Sequence, residues 1–311
     1  MRVLSPDEVR EKYGQMFCKG YMTIADEKSK TVRIIDACSV KGMVEWNAIN
    51  RKKAGGAIKD VYVDGNTLIM DAKLGKGEIN FDIVKNLKDA QVLESIKIAG
   101  EEVHTTWLGA PEHEIAACLP QAPGVIRTFY TNVKLGGEKV TKVTIITPKM
   151  RRIAFGFDDT DIKGKGATWL LGLKLAQKMP FGQLISYKVV QLNPNIKEKT
   201  KNCVSVAIDF AISGEKIEKA IDYVYTFIKN ATFSEHTAFC VYDGLFIPEP
   251  IKKFGVDAKN KRITLDNAKR IAKKYGVKSF EVTGGRGIIG SLAAIGCLDM
   301  GLDAAGLIDE V

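Results

Sequence analysis

The strongest constraint on the fold is a short apolar segment that runs directly into a cluster of acidic residues. Residues 153–157 form a short, uninterrupted apolar segment, which suits a buried strand. The loop after them leads to residues 167–179, where Leu171 and Leu175 recur at helical spacing and Pro180 ends the segment. The order of strand, acidic glycine-rich loop and helix predicts an α/β or α+β module.

The rest of the second half continues this alternation of strands and helices. An alternating segment at 204–210 predicts a half-buried strand, and Ser213 is placed to cap the helix after it. Thr264 is placed to cap a later helix, which Gly276 ends. The remaining predictions are strands at 237–242 and 280–283 and helices at 213–228, 264–275 and 291–300.

The first half is richer in strand patterns than the second. A segment at 61–70 turns at Asp64-Gly65-Asn66, as a hairpin would. The other predictions for this half are strands at 32–37 and 142–147 and short helices at 6–13 and 112–119.

The length of the chain predicts two domains. At 311 residues it is longer than most single domains, and residues 148–152 form a plausible boundary. We therefore expect a β-rich mixed domain at 1–150, with a possible role in recognising a substrate or partner, and a mixed-sheet catalytic module at 151–311.

Composition excludes some classes of protein. No apolar run approaches the roughly 18 residues that a membrane span needs. The N-terminus turns polar at once and lacks the apolar stretch of a signal peptide, so we expect a cytoplasmic protein without membrane association. A formal net charge of +9 permits an anionic partner such as a nucleotide or RNA without requiring one.

The cysteines and histidines do not predict a metal site. Six cysteines are spread singly, without the paired spacing of a zinc ribbon, and Cys203 and Cys240 lie in predicted strands, which favours buried thiols. His104, His113 and Cys118 lie near two glutamates, yet their spacing matches no zinc pattern and favours single polar surface residues.

Three carboxylates, Asp158, Asp159 and Asp161, directly follow the first predicted strand of the second half. They repel one another unless a cation lies among them. Mg²⁺ is the obvious candidate, because it takes one or two carboxylates together with phosphate oxygens and water. The alternative is a solvated acidic turn in which Thr160 or Asp161 caps a helix.

The residues after the acidic cluster suit a phosphate group. Lys163-Gly164-Lys165-Gly166 supplies flexible backbone and two cations close to a helix N-terminus, where free N–H groups and the helix dipole favour anions. The pattern is not a Walker A motif. Thr168, in the first turn of the helix, could donate a hydroxyl to phosphate or accept a phosphoryl group.

A glycine-rich loop near the C-terminus contains Gly285, Gly287 and Gly290 in the spacing of a dinucleotide fingerprint. Only 21 residues follow Gly290, too few for a mononucleotide-binding half, so an NAD-binding domain is not predicted. A phosphate-binding turn, from which Arg286 reaches an anion, fits better. The alternative is a glycine turn that packs a helix tightly on a sheet.

A polar, basic loop connects two strands of the second half. It contains Asn193, Pro194 and Asn195, followed by Lys197 and Lys199. A solvated connection between strands is the simplest interpretation of this segment taken alone.

Three segments together resemble archaeal tRNA(Ile) agmatidine synthase. They are FGFDDTD at 155–161 with Thr168 downstream, QLNPNIKEKTKN at 191–202, and GGRGIIGSLAAIG at 284–296, in the order and at spacings comparable to that enzyme's. The resemblance covers 151–311 and implies its kinase-like and ferredoxin-like catalytic region. The whole chain most resembles the methanogenesis marker protein 11 family, a relative of that enzyme from methane-producing archaea.

The resemblance implies roles for particular residues. In the synthase, ATP phosphorylates an oxygen of cytidine and agmatine then displaces the phosphate. By motif position, Asp158, Asp159 and Thr168 would be catalytic, and Asp158, Asp159 and Asp161 would hold Mg²⁺. Together with the local patterns, nucleotide contacts are predicted for Gly156, Thr160, Lys163, Lys165, Asn193, Asn195, Lys199, Arg286 and Gly287.

The chain also departs from the synthase. The pair Lys201-Asn202 replaces an Arg-Gly pair, and residues 162–165 differ from the usual residues after the acidic motif. Since the sequence has no paired cysteines, we expect no counterpart of the zinc ribbon and OB-fold that grip tRNA in the synthase. Agmatidine synthesis itself is therefore not expected.

We expect an enzyme that uses ATP and Mg²⁺ to activate an oxygen atom of a substrate by phosphoryl transfer. Its substrate would be RNA, a protein or a small metabolite linked to methanogenesis. The alternatives are a nucleotide-binding assembly or maturation factor that only hydrolyses ATP, and a basic RNA-binding protein without catalysis.

Overall fold

A computed structural model describes residues 1–79, 91–109, 114–135, 138–200 and 202–307. Its chain divides into two units, Met1–Met150 and Arg151–Val311. Both units combine helices with mixed sheets, which confirms the predicted mixed α/β class. Within the described ranges, no helix has both the length and the apolar character to cross a membrane.

The first unit is dominated by strands. They are β1 (Arg2–Leu4), β2 (Cys18–Asp26), β3 (Thr31–Cys38), β4 (Gly55–Gly56), β5 (Ile58–Asp64), β6 (Thr67–Lys73), β7 (Gly75–Lys76), β8 (Glu78–Ile79), β9 (Val92–Ala99), β10 (Glu102–Gly109), β11 (Arg127–Leu135) and β12 (Glu138–Pro148). One sheet has the order β1, β11, β12, β10, β9, β4, β8, with β7 beside β9. In the other group, β2, β3, β6 and β5 are joined antiparallel in that order.

Helices α1 (Pro6–Tyr13), α2 (Lys41–Ala54) and α3 (Glu114–Ala117) accompany these strands. Ser5 and Glu8 cap α1 reciprocally. On α2, the fully buried Arg51 donates to Asp36 across 2.7 Å. A buried, paired charge of this kind fixes how the helix packs on the strands.

The second unit has five strands in its described part, β13 (Met150–Asp158), β14 (Gln183–Gln191), β15 (Val204–Ser213), β16 (Ala238–Asp243) and β17 (Lys278–Glu281). Their order is β14, β15, β13, β16, β17. The helices are α4 (Thr168–Lys178), α5 (Ile217–Ala231), α6 (Glu249–Asn260), α7 (Leu265–Lys274) and α8 (Ile288–Cys297).

Strand β13 lies at the centre of this sheet and is covered on both faces. Ile153, Phe155 and Phe157 pack with residues of α4 and α5, whereas Ala154 packs with residues of α6, α7 and α8. Gly156 lies against α8, because a Cβ atom there would approach the carbonyl oxygen of Ser291 to 2.1 Å. The strand's apolar run therefore reflects burial between two helical layers.

The structure corrects several predicted boundaries. A 3₁₀ turn, Gly214–Lys216, separates Ser213 from α5, and the Ser213 side chain makes no cap hydrogen bond. Helix α8 begins at Ile288, directly after Gly287 of the glycine loop, rather than at the predicted residue 291. The helix predicted at 112–119 is α3 followed by a 3₁₀ turn at Leu119–Gln121, and residues 112 and 113 lie outside the described residues.

Other local predictions are confirmed. Thr264 caps α7 by accepting from the backbone N–H of Asn267. Gly65 turns the β5–β6 hairpin with a positive φ of 55°, a conformation that glycine adopts without strain.

Candidate active site

A cavity of about 530 Å³ opens in the second unit at the end of β13. Its wall is formed by the end of β13, the start of α4, the loop between β14 and β15, the connection between α6 and α7, and the start of α8. This volume is in the usual range for small-molecule sites. The cavity brings together segments that are far apart in the sequence.

Six of the thirteen predicted site residues line this cavity: Asp158, Asp159, Asp161, Thr168, Lys199 and Arg286. The other seven do not: Gly156, Thr160, Lys163, Lys165, Asn193, Asn195 and Gly287. The acidic cluster, the threonine and the arginine of the glycine loop thus share one space.

Arg286 holds Asp159 just beyond the C-terminal end of β13. The Nε and Nη2 atoms of Arg286 donate to the two carboxylate oxygens of Asp159 at 2.9 and 3.0 Å. This hydrogen-bonded pair raises the pKa of Arg286 above its ordinary value. Asp159 also has a positive φ of 54°, an uncommon conformation for a residue other than glycine, and Thr237 fixes its backbone by donating to its carbonyl oxygen at 2.6 Å.

Asp158 is partly buried beside this ion pair. Burial raises the pKa of its carboxyl well above the usual range, and the negative charge of Asp159 raises it further. Gly290 leaves space for the carboxylate, because a Cβ atom at that position would lie 1.7 Å from Oδ2 of Asp158. The single arginine therefore does not offset the cost of burying this carboxyl beside a second one.

Asp161 belongs to a chain of hydroxyl groups. Thr160 Oγ1 donates to Thr168 Oγ1 at 3.0 Å, and Thr168 Oγ1 lies 3.4 Å from Asp161 Oδ1. Thr200, on the loop between β14 and β15, donates to the same carboxylate oxygen at 3.2 Å. Thr168 is 3% exposed, so its hydroxyl lies at the cavity wall rather than on the outer surface.

Three helix N-termini reach the cavity. The first residues of α4 and α7 and the second and third residues of α8 are among those that line it. No side chain caps α4 or α8, whereas Thr264 caps α7. The first two N–H groups of α8 donate to the carbonyl oxygens of Gly285 and Arg286, so the uncapped start of α4 is the better site for an anion such as phosphate.

The turn between Asp161 and α4 is tight. Ile162 and Lys165 exchange backbone hydrogen bonds, and Gly164 and Gly166 have positive φ angles of 86° and 84°. Lys165 Nζ lies 4.2 Å from the centre of the Phe233 ring, and Lys163 is exposed. The two lysines predicted to contact nucleotide are directed by the turn to positions outside the cavity wall.

The basic loop contributes its second half to the cavity. Asn193 accepts from the backbone N–H of Asn195 and donates its own N–H to Ala258, so both asparagines shape the loop's start. Lys199 lines the cavity, and its ammonium group donates to the carbonyl oxygen of Pro194. The sequence alone favoured a solvated connection for this loop, because the contact between Thr200 and Asp161 joins residues that are far apart in the chain.

Gly156 and Gly287 serve packing. Gly156 lies under α8, and a Cβ atom on Gly287 would approach the backbone nitrogen of Ala238 to 2.6 Å. Both positions require glycine because backbone atoms lie against them. This matches the alternative considered for the glycine loop, while Arg286 in the same loop reaches the acidic cluster.

Sequence reasoning missed several cavity residues. Glu198 and Arg262 form an ion pair of 2.5 Å at the wall, and Thr200 contacts Asp161. The apolar part of the lining comes from Leu192, Ile196, Val204, Ala258, Ile263, Leu265 and Ile289. The helical pattern of α6 was the available signal, since Phe254 and Ala258 follow Ile251 at helical spacing.

Cys203 also lines the cavity but is not suited to act as a nucleophile. Burial raises the pKa of its thiol to about 12, so the thiolate is scarce at neutral pH. Cys240 is fully buried, and burial raises its pKa to about 12 as well. The prediction of a buried strand thiol is confirmed for Cys240, whereas Cys203 is half-buried and directly precedes β15.

The acidic cluster is also the predicted cation site. Among the described residues, no group of three His, Cys, Asp or Glu side chains is placed to hold a metal ion. Mg²⁺ does not require such a cage, because one or two carboxylates with phosphate oxygens and water suffice. Asp158 and Asp159 are adjacent carboxylates at the cavity wall and fit a cation that arrives with a phosphate ligand.

Comparison with known proteins places this site in context. The uncharacterized protein MJ0921 of Methanocaldococcus jannaschii is 31% identical over 281 residues, which are 89% of this chain and 93% of that protein. The chain belongs to the family of MJ0921. In the present chain, the TiaS TCKD domain model matches residues 154–284, which include the acidic cluster and the basic loop.

The similarity to TiaS covers less than half of this chain. The tRNA 2-agmatinylcytidine synthetase TiaS of Pyrococcus horikoshii is 34% identical over 147 residues, 45% of this chain and 34% of the synthetase. The crystal structure of a complex of TiaS with tRNA and ATP is 24% identical, has a TM-score of 0.42, and is matched over 47% of this chain and 36% of that one. The predicted resemblance of the second half to the synthase is confirmed, and the chain spans about a third of that enzyme.

Proposed function

We propose that this chain is an ATP-dependent enzyme that activates an oxygen atom of its substrate by phosphoryl transfer. The observation that carries the proposal is the convergence of Asp158, Asp159, Thr168 and Arg286 on one cavity with the uncapped N-terminus of α4. Such an arrangement positions phosphates and neutralises developing charge, which is most of what phosphoryl transfer requires from a protein. The similarity to TiaS, whose solved complex contains ATP, supports the same nucleotide.

The parts of the cavity have separate roles in this proposal. The α4 N-terminus, with the Thr168 hydroxyl, receives phosphate oxygens. Asp158 and Asp159 would hold Mg²⁺, with Asp161 oriented by Thr168 and Thr200, and the cation would neutralise phosphate charge. The apolar lining around Leu265 suits the flat base of the nucleotide.

RNA is the substrate that we favour. TiaS, to which residues 154–284 are similar, is named for its action on tRNA, and the net charge of +9 suits a polyanion. The first unit would then recognise the substrate. A connection with methanogenesis rests on the resemblance to the marker protein family.

Hydrolysis without transfer is a second candidate, and the position of Thr168 favours it. The residue is 3% exposed and its hydroxyl already lies within hydrogen-bonding distance of Thr160 and Asp161. A hydroxyl placed in this way is better suited to binding phosphate than to receiving a phosphoryl group from solvent-exposed ATP. A nucleotide switch would use the same cavity.

Purified protein incubated with γ-labelled ATP and Mg²⁺ separates these functions. Label on RNA or on Thr168 supports transfer, whereas release of labelled phosphate alone supports the switch. We expect Asp159→Asn to weaken Mg-ATP binding by about 100-fold, as loss of a metal-site carboxylate does. The matched control is Asp222→Asn, an exposed position on α5 that should leave binding unchanged. Equal ATP affinity in both variants would contradict the proposed site.

A further inference from the structure

The ion pair between Arg286 and Asp159 occupies the position where the proposed function needs a cation. The two donated hydrogen bonds of 2.9 and 3.0 Å use both oxygens of the Asp159 carboxylate. The side chains of Arg286 and Asp159 are 33% and 15% exposed, so the pair lies at the cavity wall where water and solutes reach it. Each oxygen keeps a second lone pair, but a guanidinium in contact with both oxygens repels a cation, so the arginine and a metal ion compete for Asp159.

Charge balance gives the pair a second property. Asp158, Asp159 and Asp161 lie close together at the cavity wall, and the guanidinium of Arg286 lies 2.9 and 3.0 Å from the carboxylate oxygens of Asp159. The guanidinium therefore does for the nucleotide-free protein what a divalent cation would do in the loaded one. It neutralises part of a carboxylate cluster whose members repel one another.

The surroundings allow Arg286 to leave while Asp159 stays. The backbone of Asp159 is fixed by the hydrogen bond from Thr237 to its carbonyl oxygen. Arg286 lies between Gly285 and Gly287 and precedes the uncapped start of α8. Its long side chain can rotate away from the carboxylate and still line the cavity, where a phosphate group is the natural alternative partner for a guanidinium.

We propose that Arg286 holds the place of the divalent cation in the nucleotide-free protein and exchanges Asp159 for phosphate when nucleotide binds. The inference deepens the proposed function, on which it rests, by assigning a positioning role to Arg286. It makes the arginine and a cation competitors for Asp159. Nucleotide therefore promotes cation binding by drawing the arginine away.

The test measures binding of Mn²⁺ alone to the nucleotide-free protein, by electron paramagnetic resonance of the free ion. Arg286→Gln should bind Mn²⁺ about tenfold more tightly than the unchanged protein, because a charge-assisted pair no longer competes for Asp159. The same variant should bind ATP in EDTA about tenfold more weakly, since the phosphate loses a guanidinium partner. A purely structural arginine would not shift the two affinities in opposite directions.

Arg262→Gln is the matched control. Arg262 also lines the cavity, yet it pairs with Glu198 and not with the acidic cluster. Its removal should leave Mn²⁺ affinity within about twofold of the unchanged protein. Arg286→Lys keeps the charge without the bidentate geometry and should give an intermediate Mn²⁺ affinity.

Folding of the variants is checked by thermal unfolding with and without Mn²⁺. We expect Arg286→Gln to melt at a lower temperature than the unchanged protein in EDTA and to recover more of its stability on addition of Mn²⁺. If Arg286→Gln does not fold, Arg286→Lys carries the test through its Mn²⁺ affinity.

Unchanged or weaker Mn²⁺ binding by Arg286→Gln, or no Mn²⁺ binding by any variant, overturns the proposal. This outcome is distinct from failure of the proposed function. Tighter Mn²⁺ binding without any ATP binding supports the exchange at Asp159 but removes the ATP-dependent enzyme. Mg-ATP binding with unchanged Mn²⁺ affinity leaves the enzyme and removes the role of Arg286.

Discussion

Strand β13 carries an arginine–aspartate cluster near each end, and the two clusters differ in how completely they are satisfied. Near its start, Arg152 donates to Asp209, to both oxygens of Asp299 and to the carbonyl oxygen of Leu245, at 2.6 to 3.0 Å. The side chains of Arg152 and Asp209 are 3% and 1% exposed. The Arg152–Asp209 pair is closed to solvent, whereas the side chain of Asp299 is 41% exposed.

The cluster at the other end of β13 is open and unbalanced. Arg286 bonds only Asp159 among the three aspartates there, and the pair lies at a cavity wall. A closed ion cluster of the first kind stabilises one arrangement of the sheet, whereas an open one retains charge that a ligand can neutralise. The comparison separates residues that hold the second unit together from residues available for chemistry.

The largest effect is expected at the closed end. Arg152→Gln should lower the free energy of unfolding by about 3–5 kcal/mol, because it leaves Asp209 buried without its charge partner. Arg286→Gln should lower it by only about 1 kcal/mol. Urea unfolding followed by circular dichroism measures both. The comparison fails if the two variants are equally destabilised.

A smaller change is expected from Gly290→Ala at the open end. The added Cβ would overlap Oδ2 of Asp158, so the carboxylate must move, and we expect Mg-ATP affinity to fall by about tenfold. Calorimetric titration of Mg-ATP measures this change. The control is Gly276→Ala, a position after α7 that has open space around it and a φ of 73°. We expect that control to lose stability through backbone strain but to retain nucleotide affinity once folded.

An effect of opposite sign is expected from Asp158→Asn. Removing one charge from a partly buried carboxylate cluster should raise the free energy of unfolding of the nucleotide-free protein by on the order of 1 kcal/mol at neutral pH. Asp209→Asn at the closed end should instead destabilise, since Asp209 is a partner of Arg152. Thermal unfolding in EDTA compares the two, and a loss of stability in Asp158→Asn would show that the open end is not strained by charge.

The smallest effect distinguishes a lysine that lines the cavity from one that belongs only to the predicted sequence motif. Lys199→Ala should weaken ATP binding by about threefold to fivefold, as loss of an exposed cation near phosphate does, whereas Lys163→Ala should leave it unchanged. Lys199 lines the cavity and Lys163 does not. Fluorescence titration with a labelled ATP analogue has the required precision. A larger loss of ATP affinity in Lys163→Ala than in Lys199→Ala would show that the turn after Asp161 is part of the nucleotide site.

The sequence predicted elements whose signals are local. The hairpin at Gly65, the cap at Thr264 and the strand that ends at Asp158 each depend on neighbouring residues, on periodicity or on a single backbone conformation. Boundaries were less reliable where a 3₁₀ turn competes with the helix, as after Ser213. Helix α6 was missed, although its residues line the cavity together with those of α7.

The sequence by itself determined which residue types could perform the chemistry, namely three aspartates at a strand end, a threonine in the next helix and an arginine in a glycine loop. Only the tertiary structure decided which of them meet. Arg286 and Asp159 are 127 positions apart, and Thr200 reaches Asp161 across 39. Such contacts arise from packing of helices on both faces of β13, while the local turn directs Lys163 and Lys165 away from the cavity. Short-range hydrogen bonding and periodicity can be recognised in the sequence, but contacts between distant segments depend on how the whole unit packs.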